Sequence, residues 1–406
     1  MKQLPDGPII TKLSRVSPSG ANTLRACGLA VAFSTSEAHK AAVFRGPAAR
    51  LGSILHAVVA AAPVRDPLPP PSEETGASFD DEWAKAVARE RDSVRASPHE
   101  RHLDDPERWP NYSLTRARAR QHFCQVQALS PSSTPRLEGQ APLRGDSASS
   151  PCPLPAVEVE AGYSGFGGRL VGRIDRVEAN GPHVRIVDFK SGPVLDPSAP
   201  QPDTDRPAHP APVKDEYRRQ LLLYAAVYHD ARGVWPTEAQ LVDSRGRPHT
   251  FPVVPAEALG VAADALAALE EYNAHAVMAV RAEELASPGP DACRWCRYKA
   301  MCEPFWQHVE PDWPQEGIGH VAGRLATVDA APASGWTLVL DPEAGTTPLD
   351  SPVRLRGVTA RRFPDRDLLQ PGMRIVVVSA ARSEGDPALL TPTDLTEIWY
   401  DADEPR

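Results

Sequence analysis

The chain has 406 residues, a formal net charge of −9 and six cysteines. This length leaves room for two domains and a sizeable core. The acidic balance does not indicate a general nucleic-acid binder, although a local basic groove is enough for that function. Six cysteines in so long a chain, two of them in a Cys-x-x-Cys motif, favour metal binding or redox chemistry over a secreted disulfide scaffold.

The sequence also excludes a membrane-spanning protein. No hydrophobic run approaches the roughly 20 residues that cross a bilayer. Residues 1–10 lack the charged-then-apolar layout of a secretory signal. We therefore expect a cytoplasmic protein that makes no membrane contact.

Two helices are predicted near the N-terminus. The first is expected to start after Ser17, which is typical of a helix cap, and to carry Cys27. The second, over 48–62, has apolar residues at helical spacing and contains Gly52 and His56. Glycine allows another backbone to come close, whereas a lone histidine on an apolar helix is usually a packed side chain.

Proline-rich stretches interrupt the chain at 63–78, 130–155 and 195–213. Their composition disfavours regular structure. Helices are predicted between the first two stretches, at 79–93 and 112–129.

Residues 172–192 predict a β-hairpin. The first run is apolar at alternate positions, the Asn-Gly pair at 180–181 is a strong turn signal, and the second run is rich in Val and Ile. Because side chains alternate along a strand, Asp188 and Lys190 share a face with aliphatic neighbours. Asp175, on the paired strand, could reach the same place.

This grouping indicates a metal site. Burying Asp188 and Lys190 is unfavourable unless each has a partner. Two carboxylates and an ammonium suit Mg²⁺ or Mn²⁺, with the lysine orienting a water. The alternative is a structural ion pair between the two residues, because ion pairs can resemble sites.

Two further segments carry polar residues near this hairpin. Glu158 and Glu160 alternate with valines as in a strand and could be metal ligands, although solvated edge carboxylates are commoner. A helix over 216–228 places Gln220 and Tyr224 one turn apart. The tyrosine fits a packed aromatic stripe, whereas the glutamine is less expected there unless it holds a ligand or backbone.

Strands at 239–243 and 250–254 and a helix over 256–286 lead to a cysteine motif. Its spacing is C-x2-C-x5-C, which fits zinc or an iron–sulfur cluster. Three thiolates do not complete a four-ligand site. The remaining ligand must come from Cys27, Cys124, Cys152 or a histidine such as His308.

The tail, residues 313–406, differs in character. Five short strands with turn signals predict a small β-barrel, with an OB-like barrel as the first choice. These strands lie at 319–325, 336–340, 353–357, 369–378 and 396–400. Such barrels often bind single strands through basic and aromatic surfaces. The arginines that would suit this role are Arg354, Arg356, Arg361 and Arg362, although solvated arginines on the outer face of a strand are the commoner explanation. A protein-docking module is equally plausible.

Together the motifs resemble the RecB-like branch of the PD-(D/E)XK nucleases. Within that branch they are similar to the iron–sulfur subgroup, which includes CRISPR-associated RecB-like exonucleases and the nuclease domains of AddB-type helicase–nucleases. The resemblance covers roughly residues 13–310. It rests on five motifs in the expected order: Gly52…His56, Gly172-x-x-Asp175, Asp188-x-Lys190, Gln220-x3-Tyr224 and C-x2-C-x5-C.

The resemblance implies an α/β fold and a set of site residues. The core would be α-β-β-β-α-β, a mixed sheet flanked by helices and stapled by the cluster, over residues 1–312. The catalytic residues would be His56, Asp175, Asp188 and Lys190. Mg²⁺ or Mn²⁺ would be held by His56, Asp175, Asp188 and the carbonyl of Phe189. Gln220 and Tyr224 would border the site and help to hold DNA.

The resemblance also implies the ligands of one [4Fe–4S] cluster. That subgroup takes one cysteine from the N-terminal helix and three from the end of the domain. Here they correspond to Cys27, Cys293, Cys296 and Cys302. The proline-rich insertion before Gln220 departs from the family pattern, which leaves open a lid or a partner-docking segment.

Two functional classes follow from these expectations. The first is a metal-dependent deoxyribonuclease, exo- or endonucleolytic, in DNA repair, recombination or antiphage defence. Its substrate would be DNA that is single-stranded or has single-stranded ends, and its partner a helicase or a defence-system protein. The second is a non-catalytic iron–sulfur DNA-binding subunit acting with such a partner. The intact set of His56, Asp175, Asp188 and Lys190 argues against the second.

Overall fold

The computed structural model describes most of the chain, and everything below refers to that part. The described residues are 2–3, 7–62, 78–97, 100–128, 157–190, 192–196, 212–243, 245–314, 317–331, 335–360, 362 and 368–400. The three proline-rich stretches fall largely outside them, as does Cys152. No helix in the described ranges is both long and apolar enough to cross a bilayer.

The N-terminal region contains one short strand and four helices. These are β1 (Lys2–Gln3), α1 (Pro18–Ala26), α2 (Gly28–Thr35), α3 (Glu37–Ala42) and α4 (Pro47–Ala60). The hydroxyl of Ser17 accepts a hydrogen bond from the Gly20 N–H at 3.1 Å, so the predicted cap is confirmed. The helix predicted to run through Cys27 is wrong, because Cys27 has an extended backbone and separates α1 from α2.

Two long helices pack against α4. They are α5 (Phe79–Ala96) and α6 (Tyr112–Ala128), with short 3-10 turns between them. Apolar side chains such as Leu51, Trp83 and Phe123 form a buried cluster that also includes Val187 and Phe189 from the sheet. This layer therefore covers one face of the sheet.

The central sheet has five strands in the order β2-β3-β4-β5-β6. The strands are β2 (Val157–Gly165), β3 (Leu170–Asn180), β4 (His183–Phe189), β5 (Glu238–Val242) and β6 (Pro248–Pro252). Only β4 and β5 are parallel, because helix α7 (Asp215–Arg232) forms the crossover between them. The predicted hairpin and the mixed sheet are both confirmed.

The opposite face of the sheet is covered by α1, α7 and α8 (Pro255–Met278). The predicted helix to 286 ends early, since the backbone is extended at Ala279 and a 3-10 turn follows at Ala282–Leu285. The start of the chain docks on α8. Asn273 of α8 accepts a hydrogen bond from the Leu13 N–H and donates one to the Leu13 carbonyl, both at 2.8 Å.

The cysteine motif lies between the sheet and a C-terminal barrel. It includes α9 (Pro290–Arg294) and α10 (Glu303–His308). Phe305, Trp306 and Val309 are buried together with Val376 and Trp399 of the C-terminal strands. This segment is therefore part of the contact between the two halves.

The barrel consists of five strands in the closed order β7-β8-β9-β11-β10. The C-terminal strands are β7 (Ile318–Ala331), β8 (Gly335–Gly345), β9 (Val353–Val358), β10 (Arg374–Arg382), β11 (Leu389–Thr391) and β12 (Glu397–Tyr400). The barrel prediction is confirmed. The segment predicted as its fifth strand does form a strand, but that strand lies outside the ring. Strand β12 pairs with β10 and β1 outside the ring, and the strand that closes it is the three-residue β11.

Candidate active site

Two aspartates face each other across the hairpin. Arg176 pairs with Val187, which makes Asp175 and Asp188 the next residues on adjoining strands. Both are buried, at 7% and 3% exposure. The Phe189 N–H donates a 2.7 Å hydrogen bond to Oδ2 of Asp175, so the backbone of β4 fixes this carboxylate.

Helix α4 brings His56 to the same place. Its Nδ1 lies 2.9 Å from Oε1 of Glu160 and 3.5 Å from Oδ1 of Asp175. Glu160 comes from β2, where Val159 and Ala161 pair with residues on either side of Asp175. Its φ of 49° lies in the left-handed region, an uncommon conformation for a non-glycine residue within a strand. The structure thus adds Glu160 to the predicted set.

Lys190 is held from two sides. Its Nζ lies 2.8 Å from Oδ2 of Asp188 and donates a 2.9 Å hydrogen bond to Oε1 of Gln220. The Gln220 amide nitrogen in turn lies 3.4 Å from Oδ1 of Asp188 and 3.3 Å from the hydroxyl of Tyr224. The glutamine therefore does more than pack, because it orients the lysine and the aspartate together.

The glycine in the Gly172-x-x-Asp175 motif has a packing role. A Cβ atom added at Gly172 would lie 2.8 Å from Cε1 of Tyr224, which is closer than real contacts allow. The absence of a side chain on β3 lets the Tyr224 ring lie against the strand. The same ring supports Gln220, so Gly172 contributes indirectly to the position of Lys190.

Burial disfavours the charged forms of both aspartates. Burial raises the pKa of Asp175 above its usual range, and the charge of Asp188 adds to this effect. Burial likewise raises the pKa of Asp188, while Lys190 opposes it. For His56 burial acts to lower the pKa, but the hydrogen bond to Glu160 and the nearby carboxylates outweigh it and raise the pKa to about 9.

The donor set fits a hard divalent cation. His56 Nδ1 and one oxygen each from Glu160 and Asp175 lie within 4.8 Å of one another. The carboxylate oxygens of this set suit Mg²⁺ or Mn²⁺. A cation here would also offset the repulsion between Asp175 and Asp188. The predicted role of the Phe189 carbonyl as a metal ligand stays a prediction, and the contact that the structure shows is made by the Phe189 N–H.

The four predicted cluster cysteines also meet. Cys27, Cys293, Cys296 and Cys302 line a single cavity, although Cys27 lies 266 positions before Cys293. Burial is the largest cause that raises the pKa of the Cys296 thiol to about 11 and of the Cys302 thiol to about 12. Cys124 is exposed on α6 and does not line this cavity.

The four thiols around this cavity form a ligand set that suits either zinc or an iron–sulfur cluster. Lys299 lines the same cavity, and its Nζ donates a 2.7 Å hydrogen bond to the Arg294 carbonyl.

Comparison with known proteins identifies the family. The sequence profile of the PD-(D/E)XK nuclease superfamily matches residues 15–303. The chain therefore belongs to this superfamily, whose members are typically nucleases that use divalent metals. The matched range includes the central sheet and all four converging cysteines and ends before the barrel. A search of curated proteins finds no significant match.

Proposed function

We propose that the protein is a metal-dependent deoxyribonuclease of the RecB-like, iron–sulfur type. The observation that carries this proposal is the convergence of His56, Glu160, Asp175, Asp188 and Lys190 in one cluster on the central sheet, in which both aspartates are buried. Membership of the nuclease superfamily supports the class of reaction.

In this proposal His56, Glu160, Asp175 and Asp188 hold Mg²⁺ or Mn²⁺, with the Phe189 carbonyl as a further ligand. The cation would lower the pKa of a bound water and offset charge on the phosphate. Lys190 donates hydrogen bonds to the attacking water or to the phosphate oxygens, where negative charge develops. Gln220 keeps the ammonium aimed at this position, and Tyr224 holds Gln220. Both residues border the DNA.

Cys27, Cys293, Cys296 and Cys302 hold one [4Fe–4S] cluster with a structural role. The convergence of the four cysteines on one cavity supports this assignment. In a chain-entropy picture, a cross-link over so long a loop disfavours the unfolded state by about 5 kcal/mol. The cluster would therefore fasten the N-terminal helices to the end of the nuclease domain.

The C-terminal barrel is an OB-like module that adds affinity for single-stranded DNA or docks a partner. A five-stranded Greek-key barrel defines the OB fold. The position of β11 between β9 and β10, parallel to β9, supports this assignment. The proposed setting is DNA repair, recombination or antiphage defence, with a helicase or defence protein as the partner.

The test is cleavage of labelled single-stranded DNA, double-stranded DNA and RNA in Mg²⁺, Mn²⁺ or EDTA. We expect cleavage of DNA that has single-stranded ends, dependent on the cation and absent in EDTA. Asp188→Asn should remove it. Asp264→Asn is the matched control, because Asp264 is exposed on α8 and pairs only with Arg219 among the described residues.

Two results would contradict the proposal. Cleavage that persists in EDTA would exclude the metal-dependent mechanism. Specific DNA binding without cleavage under any cation would favour the alternative of a non-catalytic subunit that acts through a partner.

A further inference from the structure

A second cavity adjoins the candidate active site on the side of helices α4 and α6. Its volume is about 280 Å³, and it is partly enclosed. One wall is apolar and includes Leu51 and Phe189, and Gly52 of α4 lies on the same wall. Lys190 also lines the cavity while its Nζ lies 2.8 Å from Oδ2 of Asp188. The cavity and the proposed metal site therefore share this residue.

Two guanidinium groups line this cavity. Arg118 comes from α6, and Arg245 comes from the turn after β5. Among the described residues, neither guanidinium makes a hydrogen bond or ion pair with a carboxylate. Burial lowers the pKa of Arg118; Asp243 opposes this effect and Arg245 adds to it. Both guanidinium groups therefore lack a carboxylate partner among the described residues, and Arg245 is near enough to act on the charge of Arg118.

The single carboxylate of the cavity lining, Asp243, is already satisfied. Its Oδ1 accepts hydrogen bonds from the N–H groups of Arg245 and Arg247, at 2.7 and 3.0 Å. Its Oδ2 is bonded by the Arg247 side chain at 2.9 Å and lies 3.1 Å from Nε2 of His249. These contacts hold the pKa of Asp243 well below its usual range, against the effect of burial. Asp243 therefore fixes the turn that carries Arg245, and the cavity keeps an excess of positive charge.

We propose that this cavity binds a phosphate group of the substrate strand next to the one being cleaved, through Arg118 and Arg245. The proposal rests on the proposed nuclease function. A strand whose scissile phosphate lies at Asp188 and Lys190 reaches the cavity directly, because Lys190 borders both. Guanidinium groups bind phosphate through paired donors, and the apolar wall can take the attached sugar or base.

The phosphate can come from two sources, a strand terminus or the interior of a strand. These sources predict different substrate preferences. If the cavity binds a terminal phosphate, it recognises strand ends and favours exonucleolytic cleavage. If it binds an internal phosphate, it positions any single strand relative to the scissile phosphate.

The experiment measures binding in the Asp188→Asn background, so that the probe is not consumed. Fluorescence anisotropy is recorded for short single strands with a 5′-phosphate, a 3′-phosphate or hydroxyl ends, and for competition by a circular single strand. Arg118→Ala and Arg245→Ala should each weaken binding about 10-fold or more, as expected for loss of a charged hydrogen bond. The slope of log affinity against log salt should become shallower by about 0.7 for each lost phosphate contact.

Two variants control for non-specific effects. Arg116→Ala removes a charge from the same helix, but Arg116 is exposed and pairs with Asp80 at 2.9 Å, so binding should not change. Arg118→Lys retains the charge, so the salt slope should persist even though affinity falls. Circular dichroism checks that each variant is folded.

The binding and cleavage results together distinguish the two phosphate sources and separate the cavity proposal from the nuclease proposal. Losses confined to phosphorylated ends identify a terminal phosphate, and equal losses with circular and hydroxyl-ended strands identify an internal one. Binding that Arg118→Ala and Arg245→Ala leave unchanged, in a protein whose wild type cleaves DNA, overturns the cavity assignment and leaves the nuclease standing. Weakened binding in a protein that cleaves nothing supports the cavity and overturns the nuclease.

Discussion

The molecule contains two clusters of potential metal ligands, and they are built in opposite ways. In the sheet site, Asp175, Asp188 and Lys190 come from one hairpin, so their proximity follows from strand register. In the cysteine cavity, Cys27 is separated from the other three cysteines by most of the nuclease region, so the four meet only when the fold is complete. The sheet site concentrates charge, whereas burial in the cysteine cavity favours neutral thiols. In the function proposed above, the sheet site serves the chemistry and the cysteine cavity serves the stability.

Removing charge from the sheet site should have the largest effect on the cleavage rate. Lys190→Met should reduce the single-turnover cleavage rate about 100- to 1000-fold, because it removes a donor aimed at developing negative charge. Asp188→Asn should abolish metal-dependent cleavage but leave the thermal midpoint in EDTA unchanged or higher, since it relieves repulsion with Asp175. Rates are measured by quenched-flow and midpoints by calorimetry.

A wild-type cleavage rate in either variant would refute the catalytic assignment. A large fall in the thermal midpoint would instead show that the charged cluster holds the fold together.

The cysteine cavity should respond in the opposite way. Cys27→Ser should lower the stability by about 2–5 kcal/mol and remove the visible absorption and the roughly four irons per chain expected of a [4Fe–4S] protein. The measurements are iron analysis and denaturant unfolding of anaerobically purified protein. Cys124→Ser is the control, because Cys124 is exposed and lies outside the cavity.

A colourless wild-type protein with one stoichiometric zinc would refute the cluster. The nuclease assignment would remain.

Glu160 and Glu158 on β2 provide a test of which carboxylates belong to the sheet site. Glu160→Gln should raise the Mn²⁺ concentration for half-maximal cleavage about 10- to 100-fold, as expected when a group that binds or orients a metal is weakened. Glu158→Gln should leave it unchanged, because Glu158 accepts a 2.6 Å hydrogen bond from Tyr163 and pairs with Arg232 instead. Equal metal dependence in the two variants would remove Glu160 from the site.

The smallest effect is expected at Gly172. Gly172→Ala should reduce cleavage about 3- to 10-fold and stability by about 1 kcal/mol, since the new methyl group displaces the Tyr224 ring that supports Gln220. Gly162→Ala on the neighbouring strand meets nothing within 4 Å and should change neither quantity. Identical kinetics for both variants would show that the ring position does not affect Lys190.

The sequence predicted those features that depend on local signals. The hairpin, α7 and the long helices α4 to α6 follow from alternation, turn residues and helical periodicity. The structure brings His56, Asp175, Asp188, Lys190 and Gln220 together, and it brings the four cysteines together. Their roles as ligands and catalysts remain predictions.

The errors arise where tertiary contacts override local patterns. Glu160 resembled a solvated edge carboxylate, and only the strand register reveals that it lies opposite Asp175. The alanine-rich run after 255 could continue as a helix to 286, but Ala282 and Leu285 are buried against Leu29, which requires the chain to turn. Strand β11 has three residues, too few for a periodic signal, and barrel closure depends on it.

The N-terminal part of the chain packs against residues that are synthesised much later, as the contact of Leu13 with Asn273 shows, and this order has a consequence for biosynthesis. The apolar segment Leu29 to Phe33 is buried with Tyr272 and Leu285, which lie some 250 residues further along the chain. At a translation rate of about 5–20 residues per second, this segment waits about 10–50 s on the ribosome before its packing partners exist. Helix α2 therefore completes its packing only after α8 and the following 3-10 turn have been synthesised, although it is itself synthesised much earlier.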